Sequence, residues 1–582
     1  MASVQPAPSR DQMFNQRLPF VIIGMVIASV LLVFKLVSFQ QLSLDVVNEL
    51  RPDYNRTVNL AAARGLIYDQ SGQRLAVNTL EYRVGLSPNL VANPQRTATQ
   101  LAGILNLDEL TVYQATTSDK TWELLAAPVS AEVGQQIEQL KQDGLTALTI
   151  EKIPRRSYPQ GALAAQVLGF VGGELQGYYG VEGKFQDQLT GRPRTEVVSN
   201  IPFDVPSEQE ADKGSDIYLT LDRDIQFLIE SQLLSAVQST GAKSGTIIVM
   251  NPRSGDILGL ANYPSYDPND PLAVKDTLWK DTAISNEYEP GSVMKVVTVA
   301  AALDKGTITP NWTYNDQAVL DMAGIKVQNW DRQAHGVVDT TNVLVQSLNV
   351  GAATISLAMG PTDYYAYMSK FGFGKLTGVN LEGEASGTMH VPGDSDWSES
   401  NLLTNAYGQG VAVTPLQMIT AVSAIANDGL MMQPNIVAKI VNNNGQVNVA
   451  QPIALGRPIT QDTAHTVRDM MVAVVQNGLD DGAQLPGYTV AGKTGTAEIP
   501  VPLGYKQDAW IMSFIGFLPA DDPQVIVLIK LDEPTTGRWA SQVVAPVFRQ
   551  LAQRLVVLME IPPDAVRLAL KAEGAAASGQ GG

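Results

Sequence analysis

The feature that most restricts how this chain can fold is an apolar run near its start. Residues 18–39 are almost all apolar, and Lys35 near the far end is the exception. About 20 such residues make a helix long enough to cross a bilayer. The run is too long for a signal peptide, and no small-residue cleavage site follows it. No second run of this length follows, so the sequence predicts a single-pass membrane anchor.

Charges beside the run predict its orientation. Arginines precede it, and acidic residues follow closely, at Asp45, Glu49 and Asp53. Because cationic flanks stay in the cytosol, we expect residues 1–17 to lie in the cytoplasm. Their polar, proline-containing sequence predicts a disordered tail. Everything after residue 40 then lies outside the cytoplasm, held at the cell (inner or cytoplasmic) membrane.

Composition excludes several classes of function. The chain has 582 residues, 45% of them hydrophobic, enough for two or three domains. Its formal net charge of −18 argues against nucleic acid as a partner, and the absence of cysteine excludes thiol catalysis. The three scattered histidines make a His-based triad or a His-rich metal site improbable. We therefore expect no metal and no cofactor, and any acyl-transfer base should be a lysine.

The order of elements predicts two folded regions after the anchor. Residues 40–239 alternate short strand-like and helical stretches and carry no catalytic spacing, which indicates a non-catalytic α/β pedestal. Residues 240–560 begin with an antiparallel hairpin, at 245–250 and 256–260. Helices follow, then strand patterns at 488–499, 510–517 and 525–531 and a closing helix at 545–558. This order is typical of an α+β domain with a mainly antiparallel sheet. The residues from 561 to 582 are predicted to be a disordered tail.

Ser292 and Lys295 are the first candidates for chemistry. Ser292 follows a Pro-Gly turn and opens an apolar run that predicts a buried helix. Residues three apart share a helix face, so Lys295 can reach the serine hydroxyl. Serine is a poor nucleophile while its hydroxyl keeps its proton, and a lysine in a dry site can accept that proton. Alone the pattern is weak, because ordinary helix turns also carry it.

Two later segments complete a constellation. Ser347-Leu348-Asn349 and Lys493-Thr494-Gly495 follow in that order, and the three motifs together mark serine enzymes of the β-lactamase and penicillin-binding type. We expect Ser347 to relay a proton to the leaving amine. Asn349 is expected to hold Lys295 and a substrate amide.

The Lys-Thr-Gly segment is expected to bind substrate. Lys493 suits a carboxylate by its charge, and its charge with partial burial should depress the pKa of Lys295. Thr494 and Thr496 suit the same carboxylate by hydroxyl bonds. Gly495 permits a close backbone approach, and the N–H groups of Ser292 and Thr496 would form an oxyanion hole.

From the anchor to about Leu558, the chain resembles the class B, monofunctional penicillin-binding proteins. Besides the three motifs, the similar segments are 64–69, 155–159, 180–182, 219–222, 250–255, 407–410 and 413–415. The resemblance implies a transpeptidase domain with a five-stranded sheet between helices, on an elongated pedestal. It also implies attack on peptidoglycan stem peptides ending in D-Ala-D-Ala, release of the last D-Ala, transfer to a neighbouring amine, and acylation of Ser292 by β-lactams. Family partners are SEDS-type glycan polymerases and other divisome membrane proteins.

Finer features remain open. The single proline in Glu289-Pro290-Gly291-Ser292 resembles division-type (septal) members, while elongation-type duty is the alternative. A membrane-anchored β-lactamase and a β-lactam sensor are further alternatives, against which the pedestal and the intact motifs argue. By resemblance, Trp330, Tyr407 and Gly408 should lie near the cleft, and Trp330 could equally be core. His335 is expected to be structural.

Overall fold

The computed structural model describes residues 10–49, 55–60, 62–192, 194–199, 213–502 and 504–578. Side chains are described within 19–39, 62–192, 213–502 and 504–573. Residues 1–9 of the predicted tail and residues 579–582 lie outside the described residues. The chain divides into two units, 1–61 with 193–211, and 62–192 with 212–582.

The first unit contains the predicted apolar helix. The helix runs over Arg10–Glu49, and its apolar part, Pro19–Phe39, has 21 residues whose side chains are all exposed. In the described part of the chain it is the one helix long and apolar enough to span a membrane. It begins inside the predicted disordered tail, since no glycine or proline interrupts residues 10–18. Strand Asn55–Leu60 pairs antiparallel with strand Arg194–Ser199.

The second unit begins with the pedestal, five of whose strands belong to a seven-stranded sheet. Strand Asp216–Leu219 pairs with Ile67–Tyr68 on one side and with Val437–Val441 on the other. The sheet also contains Arg74–Leu86, Glu123–Val129, Leu148–Ser157 and Val447–Val449. Helices Pro94–Leu105, Glu109–Thr116 and Ala131–Gln142 enclose a separate small core against three of these strands. The sheet therefore includes strands from both predicted regions.

A buried ion cluster holds this region together. The Glu182 carboxylate accepts hydrogen bonds at 2.6 Å from the Nε atoms of Arg64 and Arg156, and all three side chains are buried. Arg64 comes from the turn before Ile67, and Arg156 from strand Leu148–Ser157. One carboxylate thus binds two segments that are about 90 residues apart in the chain.

The predicted five-stranded antiparallel sheet is confirmed in the catalytic region. Its strands are β1 (Ser244–Met250), β2 (Ile257–Tyr263), β3 (Ala491–Val501), β4 (Gly504–Leu518) and β5 (Val525–Asp532), in the order β2-β1-β5-β4-β3. All four neighbouring pairs are antiparallel. Strand β3, which carries the Lys-Thr-Gly segment, is an edge strand.

Helices cover both faces of this sheet. Alternate β1 residues enter different cores, Ile247 and Val249 on one face and Ile248 and Met250 on the other. The first face packs against helices α1 (Arg223–Thr240) and α7 (Ala545–Leu558). The second face packs against α2 (Met294–Lys305), α3 (Thr340–Val345), α4 (Asn349–Lys370), α5 (Pro415–Ala426) and α6 (Gln461–Asn477).

Short elements connect these layers. The helices are Ala165–Leu168, Gly180–Lys184, Gln186–Thr190, Thr282–Ser285, Glu399–Asn405 and Ala540–Val543. The strands are Phe170–Val171, Gly177–Tyr178, Thr313–Asp316, Val319–Met322, Ile325–Gln328, Gly336–Asp339, Met431–Met432 and Ala454–Gly456.

The predicted disorder of 561–582 is wrong for most of that segment, because a helix runs over Asp564–Ser578. Arg567 donates to both carboxylate oxygens of Asp521, one of them at 2.6 Å, and Asp564 accepts from the Thr489 N–H at 2.6 Å. These polar contacts fix the start of the helix against the catalytic region, which the low-complexity composition alone does not indicate.

The Glu182 cluster predicts a large stability difference between two similar substitutions. Glu182→Ala leaves two buried guanidinium groups without their carboxylate, which should lower the unfolding free energy by about 3–5 kcal/mol. Glu151→Ala removes the partner of Arg83 in an exposed pair and should cost about 1 kcal/mol or less. Thermal melting of the detergent-solubilised full chain, followed by circular dichroism, measures both. Equal melting temperatures for the two variants would contradict the role given to the cluster.

Candidate active site

The Ser292 hydroxyl stands at the start of helix α2. Residues Gly291–Val293 form a single 3-10 turn that leads directly into the helix, and Gly291 has a φ of +57°. Every residue from Val293 to Ala302 is buried, while Ser292 is half-buried. The hydroxyl therefore faces the cleft from a firmly packed element.

Lys295 lies one turn further along α2 and is fully buried. Its Nζ is 3.0 Å from Ser292 Oγ, 2.6 Å from the Ser347 carbonyl oxygen and 3.2 Å from Ser347 Oγ. Burial, and secondly the charge of Lys493, lower the pKa of Lys295 well below its ordinary value. A neutral amine has two hydrogens and one lone pair. It can donate twice to Ser347 and still accept the Ser292 proton.

The connection between α3 and α4 supplies Ser347. This residue has a φ of +56°, a left-handed conformation that is uncommon outside glycine. The conformation turns both its carbonyl and its hydroxyl oxygen toward Lys295. Asn349 does not make the contact with Lys295 that the sequence predicted. Its Nδ2 donates to the Gln328 carbonyl at 2.9 Å, because helix α4 starts at Asn349 and directs the side chain along the cleft wall.

Strand β3 brings the Lys-Thr-Gly segment to the other side of Ser292. A Cβ on Gly495 would lie 2.7 Å from the Pro290 carbonyl oxygen, so a side chain there would push the strand away from the nucleophile turn. Lys493 is only 1% exposed and does not line the cleft. Its ammonium can act on a bound anion through its field from beneath the surface.

A cleft of about 370 Å³ opens at these residues. The predicted residues on its wall are Ser292, Trp330, Ser347, Asn349, Thr494 and Thr496. The other wall residues are Gln409, Leu479, Glu498, Trp510 and the segment 539–542. Gln409 belongs to the similar segment 407–410 and Trp539 was expected near the cleft rim, whereas sequence reasoning did not select Leu479, Glu498 and Trp510. Leu479 and Trp510 read as ordinary core candidates, and only the fold brings them to the cleft.

The residues proposed by resemblance separate into two groups. Trp330 lines the cleft, where its ring meets Trp539 edge-on at 5.0 Å and its Nε1 donates to the Gln346 carbonyl. Tyr407 packs against the core instead, and its neighbour Gln409 reaches the cleft. Gly408 lies behind the nucleophile turn, where its carbonyl accepts from the Gly291 N–H at 3.1 Å. Within the described residues no cluster of three His, Asp or Glu side chains is placed to hold a metal.

A buried Ser–Lys pair beside an edge strand, on a sheet enclosed by helices, defines a serine acyltransferase site of the penicillin-interacting kind. The family model for the penicillin binding protein transpeptidase domain matches residues 245–553, and the penicillin-binding protein dimerisation domain matches 59–219. The chain belongs to the class B penicillin-binding proteins and is a peptidoglycan D,D-transpeptidase of that type.

Three known proteins are similar to this chain over most of its length. Stage V sporulation protein D of Bacillus subtilis is 31% identical, over 92% of this chain and 84% of the relative. Peptidoglycan D,D-transpeptidase FtsI of Escherichia coli is 29% identical, over 90% and 89%. The crystal structure of penicillin binding protein 3 from Mycobacterium tuberculosis with aztreonam matches with a TM-score of 0.68 and 30% identity, over 87% of this chain and 98% of that one.

The close contact at Gly408 predicts a strong effect on reactivity. A Cβ at this position would lie 2.1 Å from the Gly291 carbonyl oxygen, so Gly408→Ala must displace the turn that carries Ser292. A displacement near 1 Å costs on the order of 10²-fold in rate. The measurement is the rate at which fluorescent penicillin labels the full chain.

Gly306→Ala is the matched control. Gly306 has a similar φ, +75° against +84°, but no atom lies within 4 Å of its Cβ position. This variant should lose some stability and keep its labelling rate. Equal rates for both variants would show that the contact at Gly408 does not hold the nucleophile.

Proposed function

We propose that the cleft cross-links peptidoglycan stem peptides through an acyl-enzyme on Ser292. The observation that carries this proposal is the fully buried Lys295 amine, 3.0 Å from the serine hydroxyl. A neutral amine in that position is a general base for serine, and the site offers no histidine that could replace it.

Acylation follows from the contacts around the amine. Lys295 takes the proton of Ser292 as its Oγ attacks the carbonyl carbon of the penultimate D-Ala. The oxyanion that forms is stabilised by the backbone N–H groups of Ser292 and Thr496. The Ser347 hydroxyl, 3.2 Å from Lys295 Nζ, relays the proton to the leaving nitrogen. The C–N bond breaks, and the terminal D-Ala departs as a neutral amine.

Transfer reverses these proton movements. The amine of a second stem peptide attacks the ester carbonyl, Lys295 receives its proton, and the proton returns to Ser292 Oγ as the ester bond breaks. The product holds a new amide bond and the enzyme is restored. The Oδ1 of Asn349 is left to accept from a substrate amide N–H, since its Nδ2 is used by Gln328.

The same geometry accounts for reaction with β-lactams. Their ring carbonyl presents an acyl group and a nearby carboxylate to Ser292, Thr496 and the field of Lys493. Ring opening leaves the ester on Ser292 with its leaving group still attached, which blocks the approach of the acceptor amine. The chain is on this basis a target of β-lactams.

We further propose a septal role at the cell membrane. The apolar helix Pro19–Phe39 is the anchor, with the amino terminus in the cytoplasm and the catalytic region outside. The single-proline sequence before Ser292 and the similarity to FtsI of Escherichia coli support division rather than elongation. A transpeptidase needs freshly polymerised glycan close by, so a SEDS-type polymerase and other divisome membrane proteins are the expected partners.

Two substitutions test the chemistry. Ser292→Ala should abolish both covalent labelling by fluorescent penicillin and cross-linking of a D-Ala-D-Ala stem peptide. Lys295→Ala should slow acylation by about 10²–10⁴-fold, because the general base is lost. Rates are measured on the solubilised full chain by gel fluorescence and by release of D-Ala.

Lys305→Ala is the control, because this lysine lies on the same helix and pairs with Asp363 at the surface. Labelling that persists in Ser292→Ala would mean a different nucleophile. Rapid hydrolysis of the bound β-lactam, in place of a lasting adduct, would favour the β-lactamase alternative.

Replacing the apolar helix tests the cellular role. A fluorescent fusion of the native chain should gather at midcell and co-purify with a polymerase of the SEDS type. A chain whose residues 19–39 are replaced by an unrelated single-pass helix should keep its labelling rate and lose the partner. Uniform signal along the side wall would contradict the septal role. Retained co-purification would indicate that the polymerase contacts the pedestal instead of the apolar helix.

A further inference from the structure

Asp480 stands directly behind the Lys-Thr-Gly strand. It follows helix α6 and is completely buried. Its Oδ2 accepts from the Thr494 N–H at 2.8 Å, and its Oδ1 accepts from the Thr494 hydroxyl at 2.7 Å. Oδ2 also lies 3.8 Å from Lys493 Nζ. The Asp480 carboxylate therefore contacts two consecutive residues of β3, Lys493 and Thr494.

An ordinary capping role does not explain this carboxylate. Asp480 precedes the short 3-10 turn Asp481–Ala483, a position where aspartate commonly caps, yet its side chain makes no capping hydrogen bond there. A buried carboxylate is unfavourable unless it is paired. The contacts with β3 therefore stabilise the Asp480 carboxylate at this position.

Three buried ionisable groups, Asp480, Lys493 and Lys295, influence one another electrostatically. Asp480 lies next to Lys493, and Lys493 acts electrostatically on Lys295, which meets Ser292. Burial lowers the pKa of Lys493, while the charge of Asp480 opposes that effect. Among the described residues, Asp480 is the charged group that raises the pKa of Lys493, and Lys493 is the charged group that lowers the pKa of Lys295. Two other acids near the cleft, Glu289 and Glu498, act on Tyr407 and Tyr505.

We propose that Asp480 is a positioning residue for transpeptidation, whose carboxylate keeps buried Lys493 protonated and fixes the direction of the Thr494 hydroxyl. The proposal rests on the function proposed above and adds to it the means by which the site recognises a carboxylate. Without this counter-ion, a lysine in complete burial would lose its proton readily.

The direction of the Thr494 hydroxyl gives Thr494 and Thr496 different roles in binding substrate. Thr494 gives its proton to Asp480, so its lone pairs are what it offers to the cleft. The Thr496 oxygen accepts from the Ala540 N–H at 3.3 Å, which leaves its own proton available. Thr496 is thus the hydroxyl donor to a substrate carboxylate, and Thr494 accepts from an N–H group of the substrate.

The test is the pH dependence of acylation in Asp480→Asn. Asparagine keeps both bonds to Thr494, since its Oδ1 can accept from the N–H and its Nδ2 can donate to the hydroxyl. Reactivity that needs charged Lys493 disappears as pH rises through the pKa of that lysine. Removing Asp480 lowers this pKa, so the alkaline limb should move to lower pH by about one to three units, the usual effect of one nearby opposite charge.

Rates of Ser292 labelling are measured on the full chain with a carboxylate-bearing fluorescent penicillin and with its neutral ester. In Asp480→Asn, the ratio of acid to ester rates at neutral pH should fall about tenfold, as expected for a lost charge interaction. General structural damage would slow both probes equally. Asp481→Asn, an exposed neighbour with the same change of charge, should leave profile and ratio unchanged.

Each outcome has one meaning. If the native chain is labelled at Ser292 while Asp480→Asn keeps the native pH profile and ratio, the role of Asp480 is refuted and the proposed function stands. If Ser292→Ala is still labelled, the proposed function itself fails. Should Asp480→Asn melt without cooperativity, Asp480→Ser, which retains a hydroxyl for Thr494, is measured in the same way. An unshifted limb there also overturns the proposal.

Discussion

The exclusion of water from the Lys295 amine is the constraint on which the rest of the site depends. An ammonium ion in complete burial without a counter-ion is so unfavourable that the group gives up its proton. The surrounding apolar residues of α2, together with α4 and α6, provide that burial. The same packing that stabilises the catalytic region therefore makes a base of a side chain that water would keep protonated. The charge of Lys493 lowers the pKa of Lys295 further.

Positioning of the nucleophile turn depends on close backbone contacts and on the Glu289 side chain. The nucleophile turn is held between Gly408 on one side and the strand β3 on the other, at distances where a Cβ would not fit. Glu289, just before the turn, accepts from the Gly410 N–H and the Tyr505 hydroxyl. Burial raises the pKa of Glu289. Ser292 is consequently fixed by contacts from three distant segments of the chain.

Much of this arrangement could be predicted because it is encoded locally. Alternating apolar residues defined the strands of the five-stranded sheet, and the i, i+3 spacing placed Lys295 beside Ser292. The missed residues depend on tertiary structure. Asp480 lies in an Asp-Asp-Gly segment that resembles any exposed turn, and nothing in its neighbours indicates burial behind Lys493. The Asn349 contact failed for the same reason, since the start of α4 determines where its side chain points. The terminal helix was missed because Arg567 finds its partner, Asp521, in another loop.

The seven-stranded sheet joins the pedestal to the catalytic region. Strand Asp216–Leu219 hydrogen-bonds to a pedestal strand and to Val437–Val441 of the catalytic region. Hinge motion between the two would have to break these backbone bonds and expose buried polar groups. These backbone bonds therefore couple residues 62–192, through Asp216–Leu219, to strand Val437–Val441 of the catalytic region.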